Sequence, residues 1–473
     1  MQPAPNTYTK NLQNRPAIVL GNDADHTTLG IEDWLINSGM MAKSNTPGFP
    51  VYLPAGQRVV NNLRACLRDA ADAVGFLEMG FPSLYPVSLF ETSGRLPLFE
   101  GTVFVAKREE GDFISAPTHE EWFSQLFTNV PIVGRMNEKN LPFMGYQMSK
   151  LWRDLFGSGE RKSGKGLLKV NEFELFESYT LCADDSQLEG IIRLVDEGMY
   201  QGLFSRLGLR NLFYFDHRKT HPGELRQTKV YTDNLLPHPN GEYRFYVDSD
   251  GKIFDTPGLC LSCDSPLTYR HSQGKDLFAC TQNESHKFET PGRSYITAEE
   301  LELKRMFTVA MTMRVEDDCV VPFGAKYTGN DGVSHNYVMG THGLGIGRLM
   351  MAIYDQHHDR FGMDWPKGTE PYMITIIPRK DEFTPAALNV WQSLNEQGIT
   401  AIVDDRHGIN AYPKVLYSEF VGMPFALQIG GTQGNLEYSV VQRGLRNDEV
   451  YKTQDLNSAI NFIKSNYEKR GVN

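Results

Sequence analysis

GTHGLGIGR, residues 340–348, sets four glycines and one arginine between two apolar segments. Val338 and Met339 read as the end of a buried strand, and LMMAIYDQHH after Arg348 reads as a helix. The expected structure is therefore a glycine-crowded turn between strand and helix. Gly340, Gly343, Gly345 and Gly347 leave little side-chain bulk where the backbone runs close to something flat or charged. Arg348 adds a planar guanidinium suited to phosphate or to stacking on a ring. The alternative is a tight packing site with a surface arginine. Neither a dinucleotide fingerprint nor a P-loop is present, since GxGxxG in βαβ context and GK[ST] are both missing. The stretch gains meaning only from partners elsewhere in the chain.

Working outward, the chain has 473 residues, enough for two or three domains. Its apolar content of 40% and charged content of 22% fit a globular protein. No window approaches about 18 uninterrupted apolar residues, so no membrane span is expected. The first residues, MQPAPNTYTKNLQNRP, lack a basic-then-apolar signal and read as a frayed leader on a cytoplasmic protein. A net charge of −11 does not advertise nucleic-acid binding, although a local basic loop on an acidic protein can still reach phosphates.

Residues 57–75 place Val59, Val60, Leu63, Leu67, Ala70, Ala71 and Val74 on one helical stripe. FLEMGFPSLYP then reads as a strand broken at Pro82, which cannot donate to a ladder and belongs at an edge or interface. Residues 101–117 predict a hairpin turned near Gly111-Asp112. Two strands follow the helical EEWFSQLFTNV: MGYQMSKLWRDLF and KGLLKVNEFELFES. Residues 186–207 predict a long amphipathic helix ending at Gly208. From 370 onward, strands alternate with helices at the spacing of a small α/β domain with a mixed sheet. WPKGTE, residues 365–370, reads as the linker before it. The fold class expected for the whole is α/β in the broad α+β sense.

Three groups could carry chemistry. PTHEE at 117–121 sits between a strand and a helix, so Thr118 and Glu120 can offer a hydroxyl and a carboxylate to an ammonium group. The competing reading is a capping box in which Thr118 caps and Glu121 reaches back. Arg153, after Trp152 on the first strand, and Phe173, after Glu172 on the second, could grip a phosphate and stack on a purine. The loop joining them carries Arg161, Lys162 and Lys165, a basic set suited to a polyanion or merely solvated.

Six cysteines do not make a disulfide scaffold at this length. Cys260-x2-Cys263, then Cys280-x5-His286 sixteen residues on, has the spacing of a structural zinc ribbon. His271 falls mid-spacing and is a poorer ligand. The bland alternative is scattered buried cysteines.

In order and rough spacing, LPAGQRV (53–59), the strand ending at Pro82, SGRLPLF (93–99), PTHEE, LPFMGYQ (141–147), WRD, GLLKVNEF (166–173), FGAKYT (323–328) and GTHGLGIGR resemble class II prolyl-tRNA synthetases. PYMITIIP, VDDR (403–406) and FVGMP (420–424) are similar to that family's anticodon-binding domain. The resemblance implies a class II antiparallel-sheet core over 1–234 and 301–366, a zinc-ribbon insert over 235–300 and an anticodon-binding-like α/β domain over 367–473. It implies a ligase that joins ATP and an amino acid, proline by family, into an aminoacyl-adenylate and passes the acyl group to tRNA. By the same resemblance, Arg153 holds the α-phosphate and the amino-acid carboxylate, and Phe173 stacks on adenine. Arg348 lies on adenine's other side or near the γ-phosphate, with Lys169 as a further ATP contact. Thr118 and Glu120 receive the amino group, Arg161, Lys162 and Lys165 face tRNA, and Pro82 marks a homodimer interface. Mg2+ accompanies ATP, and structural Zn2+ binds Cys260, Cys263, Cys280 and His286. The insert is too short for the editing domain many bacterial members carry there, so no editing in cis is expected.

The chain also departs from the family pattern. Leu155 stands for a glutamate, Lys169 and Asn171 for arginines, and Asp318-Cys319 for Gly-His. The family's Gly-Gly-x-x-Ser-His-Glu-Phe segment is not visible around 221–232. Two further readings therefore stay open: a paralogue that passes its adenylate to a non-tRNA acceptor, and a non-catalytic tRNA-binding protein.

Overall fold

The structure, a computed structural model, describes residues 30–42, 46, 48–99, 101–128, 136–154, 166–210, 212–215, 229–247, 253–254, 267–272, 275–280, 287–290, 302–315, 317–432, 434–445 and 450–470. The chain forms two compact units, one of residues 68–204 and 210–349, the other of 1–67, 205–209 and 350–473.

The first unit is built on a nine-stranded sheet. Its main path runs Ile253–Phe254, Tyr243–Val247, Glu302–Arg314, Val338–Gly345, Glu172–Cys182, Phe143–Trp152, Leu77–Glu78; Lys229–Pro237 also pairs with the 302–314 strand, and Phe213–Phe215 pairs with Lys229–Pro237. All pairings are antiparallel except the parallel edge of 77–78 against 145–146. The two long strands expected around residues 143–152 and 172–182 pair directly, Trp152 opposite Glu172 and Gln147 opposite Glu177. The break at Pro82 is also present, between Leu77–Glu78 and Leu84–Pro86, and so is the hairpin of Val105–Ala106 with Phe113–Ser115.

Directly opposed residues of an antiparallel pair point to the same face. Gln147, Glu177, Gly343, Met311 and Asp233 therefore form one row across the front of the sheet. Tyr146, Ser178, His342, Thr312 and Thr232 form the adjacent row on the back. Helices cover that back face. The run expected over 186–207 is helical throughout but widens into a π-helix at Leu194–Tyr200 between α-helical segments 185–193 and 201–206. The widened turn buries Asp196, whose carboxylate accepts from Thr232 Oγ1 at 2.9 Å.

In the insert, Leu267–Ser272, Lys275–Cys280 and Lys287–Thr290 make a three-stranded antiparallel sheet. Cys280 ends its middle strand; Cys260, Cys263 and His286 lie outside the described residues. Among the described residues no cluster of three or more His, Cys, Asp or Glu is arranged to hold a metal.

The second unit carries the expected mixed sheet, in the order Ala401–Val403, Ile374–Pro378, Phe425–Thr432, Asn435–Gln442, Tyr451–Thr453. The 374–378 strand is parallel to both neighbours, and helices 384–396, 411–421 and 456–468 cover the sheet. Ile376, Leu394, Val403, Leu427, Val440 and Ile463 are buried between them. Residues 365–370 are tied into this unit: Trp365 donates to Val421 O at 3.0 Å, and Gly368 N donates to Glu370 Oε2 at 2.9 Å. No helix among the described residues is long and apolar enough to cross a membrane.

Candidate active site

The strand containing the glycines does not turn at Gly340. It runs from Val338 to Gly345, and the helix begins at Ile346 with no connector. The glycines serve separate needs along it. Gly340 is on the back face, where a Cβ would lie 2.5 Å from Leu188 Cδ1 and 2.7 Å from Thr180 Oγ1. Gly343 is on the front and leaves the floor bare, since a Cβ there would have no neighbour nearer than 3.9 Å. Gly345 lets the stem of Arg348 lie flat, at 3.5 Å from where its Cβ would be. Arg348 then donates to Thr308 O at 2.9 Å, to Leu168 O at 3.3 Å and to Glu242 Oε1 at 2.9 Å. Lys169 lies 3.7 Å from the same Glu242 oxygen.

Arg153 enters from the opposite side. Its backbone N–H donates to Asn171 O at 2.9 Å, which continues the two-stranded ladder past Trp152. Its guanidinium lies over the Phe173 ring at 5.3 Å and donates to Pro117 O at 3.3 Å. Arg153 keeps solvent access, yet desolvation among the surrounding atoms still pulls its pKa down. Glu177, Glu120 and Glu242 oppose that pull, and the positive charge of Arg348 adds to it. The two arginines are therefore close enough for their charges to oppose one another. Asn171, standing where the resemblance expects arginine, is fully buried and supplies no cation there.

Thr118 and Glu120 are together but do not form a capping box. The helix Glu120–Leu126 begins after His119 with no side-chain cap. The Thr118 hydroxyl donates to Glu120 Oε2 in a short bond. Glu121 turns away to accept from Ser93 Oγ at 3.0 Å and Arg95 Nη1 at 2.9 Å. The same Arg95 nitrogen reaches Glu120 Oε2 at 3.3 Å and Cys319 Sγ at 2.9 Å. Removing this arginine would take the cation from a buried acidic pair, a loss of about 3–5 kcal/mol.

Beneath them sits Glu177, which is buried. It faces His119 Nδ1 at 2.8 Å and accepts from Tyr179 OH at 2.9 Å, Gln147 Nε2 at 3.2 Å and Ser149 Oγ at 3.4 Å. His119 Nε2 in turn donates to the carbonyl of Pro82 at 3.1 Å. Pro82 itself is exposed. A hydroxyl and carboxylate, an aromatic-backed arginine and a second arginine thus converge on one sheet face. That set can hold an ammonium ion beside a polyphosphate.

Residues 103–357, just over half of the chain, match the family model for the tRNA synthetase class II core domain (G, H, P, S and T). The chain belongs to the class II tRNA synthetases. Among its relatives, a proline–tRNA ligase of Maricaulis maris is 25% identical over 421 residues, covering 87% of this chain and 89% of its own length. One from a Wolbachia of Brugia malayi is 24% identical over 432 residues, 89% of this chain and 91% of its own length. Cryptosporidium parvum prolyl-tRNA synthetase, solved with L-proline and AMP, shares the fold with a TM-score of 0.64 at 15% identity, covering 96% of this chain and 78% of its own. The Giardia lamblia prolyl-tRNA synthetase solved with prolyl-adenylate gives 0.62 at 15% identity, covering 93% and 79%.

Within this class II core, sequence reading missed Glu242, Glu177 and Arg95. It sought the glutamate-aromatic step of the family near 221–232. The structure instead places Glu242-Tyr243, a carboxylate followed by an aromatic, against Arg348. Arg161, Lys162, Lys165 and Leu155 lie outside the described residues.

Proposed function

We propose that this synthetase activates proline with ATP and charges it onto the 3′ end of tRNA. The supporting observation is the shared face of Arg153 and Arg348, with Thr118 and Glu120 alongside. Arg153 neutralises the α-phosphate and steadies the amino-acid carboxylate. Arg348 and Lys169 take the outer phosphates, which requires them to leave Glu242. Phe173 supports the adenine, and Thr118 with Glu120 receives the ammonium group.

In the first step a carboxylate oxygen bonds to the α-phosphorus, and the bond to pyrophosphate breaks. In the second, a ribose hydroxyl of tRNA bonds to the acyl carbon, AMP departs, and the hydroxyl proton is lost to solvent. Both steps depend on in-line positioning and charge neutralisation. Glu242, a carboxylate that would be freed when Arg348 and Lys169 turn to the phosphates, is the oxygen donor here that would hold magnesium, which would supply neutralisation of phosphate charge.

The rest of the proposal rests on residue pattern. The catalytic core comprises 1–234 and 301–366, and 367–473 reads the anticodon. Zinc bound by Cys260, Cys263, Cys280 and His286 holds the insert over 235–300. Arg161, Lys162 and Lys165 contact tRNA, Pro82 belongs to a homodimer interface, and the enzyme works in the cytoplasm.

Amino-acid-dependent exchange of pyrophosphate into ATP, run across twenty amino acids, tests the first step. Proline should stand out, and absence of exchange with every amino acid would overturn the reading. A gel resolving acylated from free tRNA tests the second step and separates it from transfer to another acceptor.

A further inference from the structure

One cation serves two buried carboxylates beside the substrate's nitrogen. Arg95 Nη1 lies 3.3 Å from Glu120 Oε2 and 2.9 Å from Glu121 Oε1. It is placed there by Gly94, whose left-handed φ of 70° ends the helix Val87–Ser93 and redirects the chain. The side chains of Glu120 and Glu121 are 6% and 0% exposed, so neither charge is dispersed by water. Glu121 Oε2 has no hydrogen-bond partner at all. With no donor to Oε2, burial penalises the charged carboxylate more heavily than the neutral acid.

We propose that Arg95 and Glu121 are positioning residues that control the charge offered by Glu120. An arriving ammonium ion takes Glu120, Arg95 passes to Glu121, and Glu121 releases one proton to solvent. The inference rests on Glu120 as the amino-group receptor. Before binding, one arginine balances one ionised glutamate; afterwards two cations balance two carboxylates.

Other groups around Glu121 do not supply the missing charge. From the 87–93 helix comes neutral Ser93, and from the 84–86 strand Tyr85. Tyr85 and, from the large sheet, Tyr179 stay protonated, because burial pushes both phenols well above their usual range. From the 317–319 turn comes Cys319, whose thiol burial likewise raises, while Asp317 and Asp318 on that turn are exposed. Glu177, paired with His119, acts on Tyr85 and Tyr179. Burial raises Glu121 itself to about 7, against the opposing pull of Arg95.

The test is calorimetric titration of the full-length protein with L-proline in buffers of different ionisation enthalpy, with exchange kinetics alongside. About one proton should be released per proline bound below pH 7 and none above pH 8. The proline KM should fall roughly tenfold from pH 6 to pH 8 as one linked proton requires. Glu121→Gln, which preserves shape, should release no proton and lose the tenfold pH dependence of the proline KM. Arg95→Lys, which keeps the charge, should retain the proton release. Proline binding with no buffer-dependent heat in the parent protein overturns the proton link but leaves the proline reading standing. Failure to bind or exchange proline overturns both.

Discussion

At Arg153 a single side chain meets the ring of Phe173, the carbonyl of Pro117 and the charge of Arg348. Arg153→Ala should lower proline-dependent exchange about a hundredfold or more, the scale of removing one transition-state donor. Arg153→Lys should recover little, because an ammonium keeps the charge but loses the planar fork. Intact exchange in the alanine variant would remove this residue from the chemistry. Glu120→Gln should raise the proline KM at least tenfold while leaving the ATP KM within about twofold. Steady-state kinetics with each substrate varied in turn separates the two effects. A parallel rise in both constants would mean that Glu120 shapes the whole site rather than the amino-acid end.

At the scale of elements, the sheet's back face is packed as closely as its front is open. Gly340→Ala would push a methyl into Leu188 and Thr180, and should cost about 1–3 kcal/mol as an overpacked core position. Gly343→Ala adds the same methyl to the bare front and should leave the melting temperature near that of the parent. His342 lies in the back row, fully buried, and burial lowers its pKa to about 3. A depressed histidine binds a proton more readily when unfolded. Its contribution to stability is complete above about pH 6.5 and declines as pH falls from there toward 3, by at most about 1.4 kcal/mol per pH unit. His342→Asn should flatten that part of the stability profile relative to the parent; an unchanged difference across pH 4–7 would contradict the assignment.

Much of this architecture was legible because it is periodic. Strands alternate with helices after residue 370, the two long strands before Arg153 and around Phe173 were expected as strands, and the glycine set pointed to a close backbone approach. The sequence reading erred in making a turn of residues 340–347, because glycine signals turns locally and a bare sheet floor only in three dimensions. The capping box failed for a similar reason. Thr118 and Glu121 have the right spacing, but Arg95 and Ser93, brought in by another helix, take Glu121 away. Glu242 is 106 residues from Arg348, and nothing local in the turn around it announces that pairing.

At the scale of the whole molecule, the surface around Pro82 bears on assembly. Pro82 is exposed, and Leu77, Leu84 and Val105 of the same unit are exposed apolar side chains. Leu77 lies on an edge strand of the large sheet, and Leu84 and Val105 on the two outer strands of the small three-stranded sheet; exposed apolar residues of this kind suit a protein interface. If Pro82 and its exposed neighbours form the proposed homodimer, Leu84→Glu should shift the species in sedimentation from dimer to monomer, with exchange activity falling in step. A parent protein that sediments as a monomer would rule out that role for the edge. Cys280→Ser should lower bound zinc below one equivalent per chain by elemental analysis; unchanged stoichiometry would remove the ribbon assignment.

The direct passage from strand to helix at Gly345-Ile346 has one more result. Each residue of a helix advances about 100° around its axis. Inserting or deleting a single residue between 345 and 348 would swing the arginine a quarter-turn or more off its bearing. Length changes are tolerated in loops because slack absorbs them, and this junction has no slack. The distance along the chain from sheet floor to arginine behaves as a fixed dimension of the fold.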